Sequence, residues 1–158
     1  MALSGGYMKK IIKIYLKYKE IINYIIVGGL TTLVSLGVKW GLLFTILEAS
    51  NGVQLQIANI ISWFCAVTFA YFSNRIFVFQ SKNKRIINEM FNFFSARLLT
   101  LFLESIILWF FITLLEMNSN IWVVVWTIVT QFMILVLNYI FSKIFVFKEG
   151  KKNEKNFE

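Results

Sequence analysis

Apolar residues run through this chain in four long stretches, near residues 21–47, 57–79, 93–115 and 121–147, separated by short polar interruptions. Each stretch exceeds the roughly 20 helical residues needed to cross a hydrocarbon layer about 30 Å thick. The pattern predicts an all-α integral membrane protein with four transmembrane helices. Two interruptions, Glu48 to Gln56 and Glu116 to Asn120, contain no cation, whereas Gln80 to Asn92 holds Lys82, Lys84 and Arg85. Lys9, Lys10, Lys13, Lys17 and Lys19 precede the first stretch, and Lys148, Lys151, Lys152 and Lys155 follow the last. Lys and Arg gather on cytoplasmic flanks. Both termini and the middle loop are therefore expected inside the cell, with the protein in the cytoplasmic membrane and the two short loops outside. The expected organisation is a basic amphipathic segment, 1–20, lying along the anionic inner leaflet, a four-helix domain, 21–147, and a basic cytoplasmic tail, 148–158. The opening MALSGGY precedes a second Met and is assigned no function. No cleavable signal peptide is expected, because the apolar run that follows is too long.

Within the stretches, polar and small residues recur at helical spacing. Gly28, Thr32, Ser35 and Lys39 share one side of the first helix. Asn59, Ser62, Ala66, Ala70 and Ser73 share one side of the second, with Asn74 at its edge. Arg97, Thr100 and Glu104 fall together on the third, and Thr127, Gln131, Asn138 and Ser142 on the fourth. Lipid cannot satisfy such groups, so the four stripes are expected to converge on a shared interior. The chain also repeats itself: Arg75-Ile76-Phe77-Val78-Phe79 returns 68 positions later as Lys143-Ile144-Phe145-Val146-Phe147. Two repeated helical hairpins are expected, related by an axis along the membrane normal, with a substrate site between the halves.

Composition sharpens this picture by exclusion. Of 158 residues, 58% are hydrophobic and 15% charged, and the mean hydropathy is +0.70. An ordinary soluble domain carries about 25% charged residues. The net charge of +8 would suggest nucleic acid if it were spread over a soluble surface, but here it is confined to membrane flanks, so no nucleic-acid partner is expected. The sequence has no His and a single cysteine, Cys65. A disulfide or a cysteine metal site within one chain, and a His-based triad, are thereby excluded. No metal, no cofactor and no enzymatic activity are expected, since no nucleophile has a base partner. Cys65 is expected to pack in the core. Gly37 and Gly41 have the small-xxx-small spacing that permits close helix packing, within the chain or between two copies.

Charges inside the spans carry the chemical signal. At about 1.5 Å per residue, Arg97 lies roughly a third of the way in from the cytoplasm, Glu104 just past the centre and Lys39 toward the outer side. The planar fork of Arg97 suits a phosphate. Arg75 and Lys143 end their helices at nearly the same depth, so the three cations are candidates for an inner-leaflet anion site, against positive-inside anchoring of the last two. Lys39 either snorkels outward or lines a pathway, and Glu104 either pairs with Lys39 or Arg97 or lines it too. Asn59 and Gln131 either tie helix to helix or belong to the same pathway. The two Phe-Val-Phe segments read as an interfacial aromatic belt.

Several of these residues carry a resemblance. Tyr24-Ile25-Ile26-Val27-Gly28-Gly29-Leu30-Thr31-Thr32, Ala58-Asn59, Asn74-Arg75-Ile76-Phe77-Val78-Phe79, Arg97, and Asn138 followed by Ser142-Lys143-Ile144-Phe145-Val146-Phe147 together resemble the GtrA-like family. The likeness runs over about residues 20–148. It implies a small four-helix protein of cell-surface polysaccharide glycosylation, such as that of O-antigen or teichoic acid. It further implies flipping of a polyprenyl-phosphate-linked monosaccharide to the outer leaflet, where a separate membrane glycosyltransferase uses it. The family's polar positions fall on Asn74, Arg97 and Asn138, while Thr127 stands where relatives often carry Lys. On this reading Arg75, Arg97 and Lys143 attract the phosphate, Asn74 and Asn138 hydrogen-bond it, and Lys39, Asn59, Glu104, Thr127 and Gln131 line the path. The expected partners are the lipid-linked sugar, the bilayer, glycosyltransferases and a second copy of the chain. The alternative is a non-transporting assembly partner of a glycosyltransferase, whose decisive residues would face outward. A small multidrug exporter fits the size and Glu104 but not the lopsided loop charges.

Overall fold

The computed structural model describes residues 3–117 and 119–147, with side chains from Lys13 onward, Ile14 excepted. The predicted tail, 148–158, lies outside the described residues. The chain divides into two compact units, Met1–Gln80 and Ser81–Glu158.

The first unit consists of α1, Leu3–Thr45, and α2, Gly52–Ser73, the latter running on into a π-helical turn, Asn74–Val78. With no proline anywhere in the sequence, nothing interrupts α1, and the basic N-terminal stretch continues directly into the first span. Its 43 residues reach about 64 Å; the stretch apolar enough to cross a membrane is Tyr15–Thr45. The turn between α1 and α2 is closed by side chains. Asn51 caps α2, accepting from the backbone N–H of Val53 at 3.0 Å and of Gln54 at 3.3 Å, and the Gln54 amide oxygen accepts from the Glu48 N–H at 2.6 Å. Such caps satisfy amides that an open helix end leaves unpaired.

α1 packs against α2 and its π-helical turn. On α2 the buried positions are Ala58, Ser62, Ala66, Val67, Ala70, Tyr71 and Ser73, so the small-residue stripe expected there is interior, with Asn59 half-buried at its edge. The stripe expected on α1 is less enclosed, with Gly28, Ser35 and Lys39 half-buried. Tyr24 and Val27 are buried, whereas Thr32 is exposed and returns its hydroxyl to the Gly28 carbonyl at 3.2 Å. A threonine that bonds its own helix backbone has no need to turn inward. A Cβ built on Gly28, Gly29, Gly37 or Gly41 meets nothing within 4 Å, so among the described residues of this unit Gly37 and Gly41 make no close helix contact. Cys65 is exposed rather than in the core; in a span, the lipid-facing surface is itself apolar and tolerates it.

The second unit consists of α3, Ile86–Leu108, with a π-helical turn Trp109–Leu114, and α4, Asn120–Phe141, with a π-helical turn Ser142–Val146. Its first residues fold onto α3. Ser81 donates its hydroxyl to Glu89 at 2.8 Å and accepts from the Asn83 N–H at 3.3 Å, while Asn83 accepts from the Arg85 N–H at 2.9 Å. Glu89, only 2% exposed, sits in the first turn of α3, where a negative charge complements the helix dipole. α3 packs against α4 and its terminal turn. At the other end Phe111 stacks on Trp126 with ring centroids 3.5 Å apart, and Trp126 donates its indole N–H to the Met117 sulfur at 3.2 Å.

Four helices are long and apolar enough to span a membrane: Tyr15–Thr45, Gly52–Val78, Ile86–Leu114 and Asn120–Val146. The second and third begin earlier than the apolar pattern predicts, because Gln54, Gln56, Asn88, Glu89 and Asn92 lower local hydropathy without breaking a helix. Three spans end in a π-helical turn. The Phe79 N–H reaches back to the Asn74 carbonyl at 2.9 Å, Phe147 to Ser142 at 2.9 Å, and Leu115 to Phe110 at 3.0 Å. Gln80 (φ 49°) and Glu116 (φ 54°) then stop two of these helices in the left-handed region, as a C-terminal cap does.

Candidate functional site

The π-helical turns set the cations at the ends of α2 and α4. In the first unit, Arg75 donates to the Tyr71 hydroxyl one turn earlier at 3.4 Å. In the second, Lys143 does the same to Tyr139 at 3.0 Å, with its ammonium 5.3 Å from that ring's centroid. Each cation thus stands on a tyrosine four residues before it. Arg75 is half-buried and Lys143 exposed. The Phe-Val-Phe segments divide: Phe77 and Phe145 are exposed, while Phe147 is buried and Phe79 meets Tyr24 edge-on at 6.4 Å. Phe145 and Phe77 suit an interfacial belt; their partners serve packing. Asn23 donates to the Phe77 carbonyl at 3.1 Å, fixing the first π-helical turn to α1.

Asn74 opens that turn and is 1% exposed. Its amide N–H donates to the Ala70 carbonyl at 2.7 Å, while its side-chain oxygen is buried without a hydrogen-bond partner. Lys39 is half-buried on α1. Asn59 donates to Gln56 on its own helix at 3.4 Å.

The second unit joins more of the expected residues. Arg97, half-buried and about 16 Å along α3 from Ile86, places its guanidinium 4.8 Å from the Phe93 ring centroid. Phe93 is fully buried and packs against Phe147 with centroids 6.0 Å apart. A cation over a ring face is held by the ring's quadrupole, so the guanidinium has a fixed seat. One turn on, the buried Thr100 donates its hydroxyl across to the Asn138 side-chain oxygen at 2.8 Å and lies 3.0 Å from the Arg97 carbonyl. Another turn on, Gln131 of α4 donates its side-chain amide to Glu104. Glu104 therefore takes its hydrogen bond from an amide, not from Arg97. Thr127 is exposed and satisfied by the Val123 carbonyl at 2.7 Å. The result is a ladder of polar groups between α3 and α4 with Arg97 on its first rung. Among the described residues, no group of three or more His, Cys, Asp or Glu side chains is placed to hold a metal ion.

Three polar residues escape the sequence reading: Glu89, Asn83 and Thr130, all buried. The first two lie in a loop-and-cap arrangement that reads as solvated polarity. Thr130 is 0% exposed with an unpartnered hydroxyl; it neighbours Gln131 in sequence but falls one position off the predicted stripe. Ile134 is the buried position further along α4, and Ser142 and Val146 are buried in the π-helical turn that follows it. Thr130→Val is expected to raise the thermal midpoint of the detergent-solubilised protein, since an unsatisfied buried hydroxyl costs on the order of 1 kcal/mol. A lower midpoint would show that the hydroxyl is needed.

The family model described as "GtrA/DPMS, transmembrane domain" matches residues 23–147. The "Cell wall teichoic acid glycosylation protein GtcA" of Listeria monocytogenes serovar 1/2a (strain ATCC BAA-679 / EGD-e) is 37% identical over 135 residues, covering 84% of this chain and 87% of that protein. The protein of the same name from Listeria innocua serovar 6a is 38% identical with the same coverage. The membrane protein YwcD of Bacillus subtilis (strain 168), named as uncharacterized, is 34% identical over 82% of this chain and 97% of its own length. No solved structure is significantly similar. Since the family match takes in α2, α3, α4 and most of the membrane-crossing part of α1, and the relatives align along most of their length, this chain is a multi-pass membrane protein with four spans and belongs to the GtrA/DPMS transmembrane domain family.

Proposed function

We propose that this protein moves a polyprenyl-phosphate-linked monosaccharide from the inner to the outer leaflet of the cytoplasmic membrane, where a separate glycosyltransferase attaches the sugar to teichoic acid of the cell wall. The polymer is proposed from the names of the two Listeria relatives, cell wall teichoic acid glycosylation proteins. The transport step is proposed from the chemistry of the spans. Moving a charged head group through bare hydrocarbon is prohibitive, and a protein lowers that barrier by carrying fixed cations and hydrogen-bonding groups into the membrane.

The observation that carries the reading is Arg97, well inside the third span and seated on Phe93, beside the Thr100–Asn138 bridge. Arginine offers five donors in a rigid fork that matches phosphate oxygens. Arg97 receives the phosphate, and the Asn138 amide, turned by its bond from Thr100, supplies a further donor. Arg75 and Lys143, each ending a span, draw the anion toward the cytoplasmic surface, and Asn74 steadies the turn that carries Arg75. Lys39, Asn59, Glu104, Thr127 and Gln131 line the route for the sugar. The orientation follows from the loop cations: both termini and the loop with Lys82, Lys84 and Arg85 inside. On this view the chain is two helical hairpins of common origin, each ending in tyrosine, three residues, then a cation. The polyprenyl tail stays in lipid.

Reconstitution tests this directly. Liposomes containing the purified protein should expose a labelled polyprenyl-phosphate hexose, supplied in one leaflet, to a membrane-impermeant reagent on the other side, well above protein-free liposomes. An assembly partner of a glycosyltransferase would leave the label where it was placed.

A further inference from the structure

Glu104 and Gln131 form the most polar feature in the middle of the second unit, and their hydrogen-bonding capacity is only partly used. The Gln131 amide N–H donates to Oε1 of Glu104. No bond among the described residues takes up Oε2 of Glu104, the second N–H of Gln131 or its oxygen. Gln131 is exposed and Glu104 half-buried, so these free groups open outward at a depth where lipid offers no partner and unspent polar capacity is costly. A functional occupant with both donors and acceptors would satisfy them.

We infer that Glu104 and Gln131 bind the sugar of the transported lipid and select a neutral, hydroxyl-bearing monosaccharide. This rests on the assignment of Arg97 to the phosphate. A carboxylate oxygen that accepts, beside an amide that both donates and accepts, matches two neighbouring sugar hydroxyls, each itself donor and acceptor. Position agrees with chemistry. Glu104 follows Arg97 by seven residues on the same stripe of α3, about 10 Å along the axis, a separation that one sugar residue and its phosphate linkage fill. Charge agrees as well. The Glu104 carboxylate repels a second anion, which keeps the phosphate at Arg97 and excludes sugars that carry their own carboxylate. Selection by an opposing like charge is the usual way to reject a near-identical ligand. Thr127, one turn from Gln131, has its hydroxyl committed to Val123 and leaves the recognition to the pair.

The test measures binding of four probes to the full-length protein in nanodiscs: bare polyprenyl phosphate, and its glucosyl, galactosyl and glucuronosyl derivatives. The unsubstituted protein should favour one neutral hexosyl probe over bare polyprenyl phosphate and over the glucuronosyl probe. Glu104→Gln, which retains a helix-to-helix amide bond, should weaken the favoured hexosyl probe about tenfold, leave bare polyprenyl phosphate unchanged and improve the glucuronosyl probe. Gln131→Ala should weaken only the hexosyl probe. Equal losses for hexosyl and bare probes in both variants would mean the pair merely holds the fold or an assembly, and would overturn the inference, as would no change at all. Arg97→Ala separates the two assignments: it should weaken every probe. If it weakens none while Glu104→Gln still discriminates, the phosphate assignment fails and the sugar assignment stands. Binding of no probe by the unsubstituted protein would overturn both.

Discussion

Arg97→Ala is expected to abolish sugar modification of the cell-surface polymer while the protein remains in the membrane at its normal level. The guanidinium rests on Phe93, and Phe93 keeps its own packing against Phe147 when the arginine is shortened. Folding therefore loses little. The proposed transport would lose a multi-donor cation carried well inside the third span. A charge-assisted hydrogen bond to an ionised group is worth about 1.5–3 kcal/mol, and the proposed fork makes two, so a loss of at least a hundredfold follows. Arg97→Lys should retain part of the activity, because a point charge still attracts phosphate but cannot hold two of its oxygens at once. The measurements are sugar content of the purified wall polymer and immunoblotting of membranes. Normal glycosylation in Arg97→Ala would remove this residue from the mechanism.

Asn138→Leu provides the second large effect and separates positioning from scaffolding. It removes the acceptor of the Thr100 hydroxyl, which keeps the Arg97 carbonyl within reach at 3.0 Å. Helix-to-helix hydrogen bonds in membranes average about 0.6 kcal/mol, so the thermal midpoint in detergent should fall by only a few degrees. On the proposed mechanism transport in liposomes should fall at least tenfold, because the amide donor assigned to the phosphate is gone. Thr100→Val should produce the same pair of results, since the amide remains but nothing turns it. A midpoint collapse matching the activity loss would place Asn138 in the scaffold. As a control, Val124→Ala and Phe102→Ala on exposed surfaces of α4 and α3 should transport normally. Loss of activity in these, with Arg97→Ala active, is what an assembly partner would show.

Much of this site was legible in the chain itself. Arg97, Glu104, Gln131 and Asn138 are conspicuous because a charge or amide inside an apolar run has a large solvation cost whatever the fold. The repeat that ends in Arg75 and Lys143 was legible too, and both ends adopt the same π-helical turn with a tyrosine under the cation. Periodicity was less informative about direction. Spacing fixes which side chains share a helix face but not which face meets a neighbour, so the stripe on α2 is buried, that on α1 is half-buried with Thr32 exposed, and on α4 the fully buried Thr130 lies beside the stripe. Serine and threonine blur the signal further, because Thr32 and Thr127 satisfy themselves on their own helices.

The sequence by itself determined four membrane-length apolar helices, the positions of their cations and the recurrence of a cation-Ile-Phe-Val-Phe ending on the second and fourth, since bilayer thickness and the cost of buried charge act on local composition. Only the tertiary structure decided that Thr100 reaches Asn138, that Gln131 rather than a cation answers Glu104, that Asn74 is enclosed and that Gly37 and Gly41 meet no neighbour among the described residues. Those outcomes depend on the rotation and register of one helix against another, set by many small packing contacts summed over a whole interface, and no single position in the chain encodes them.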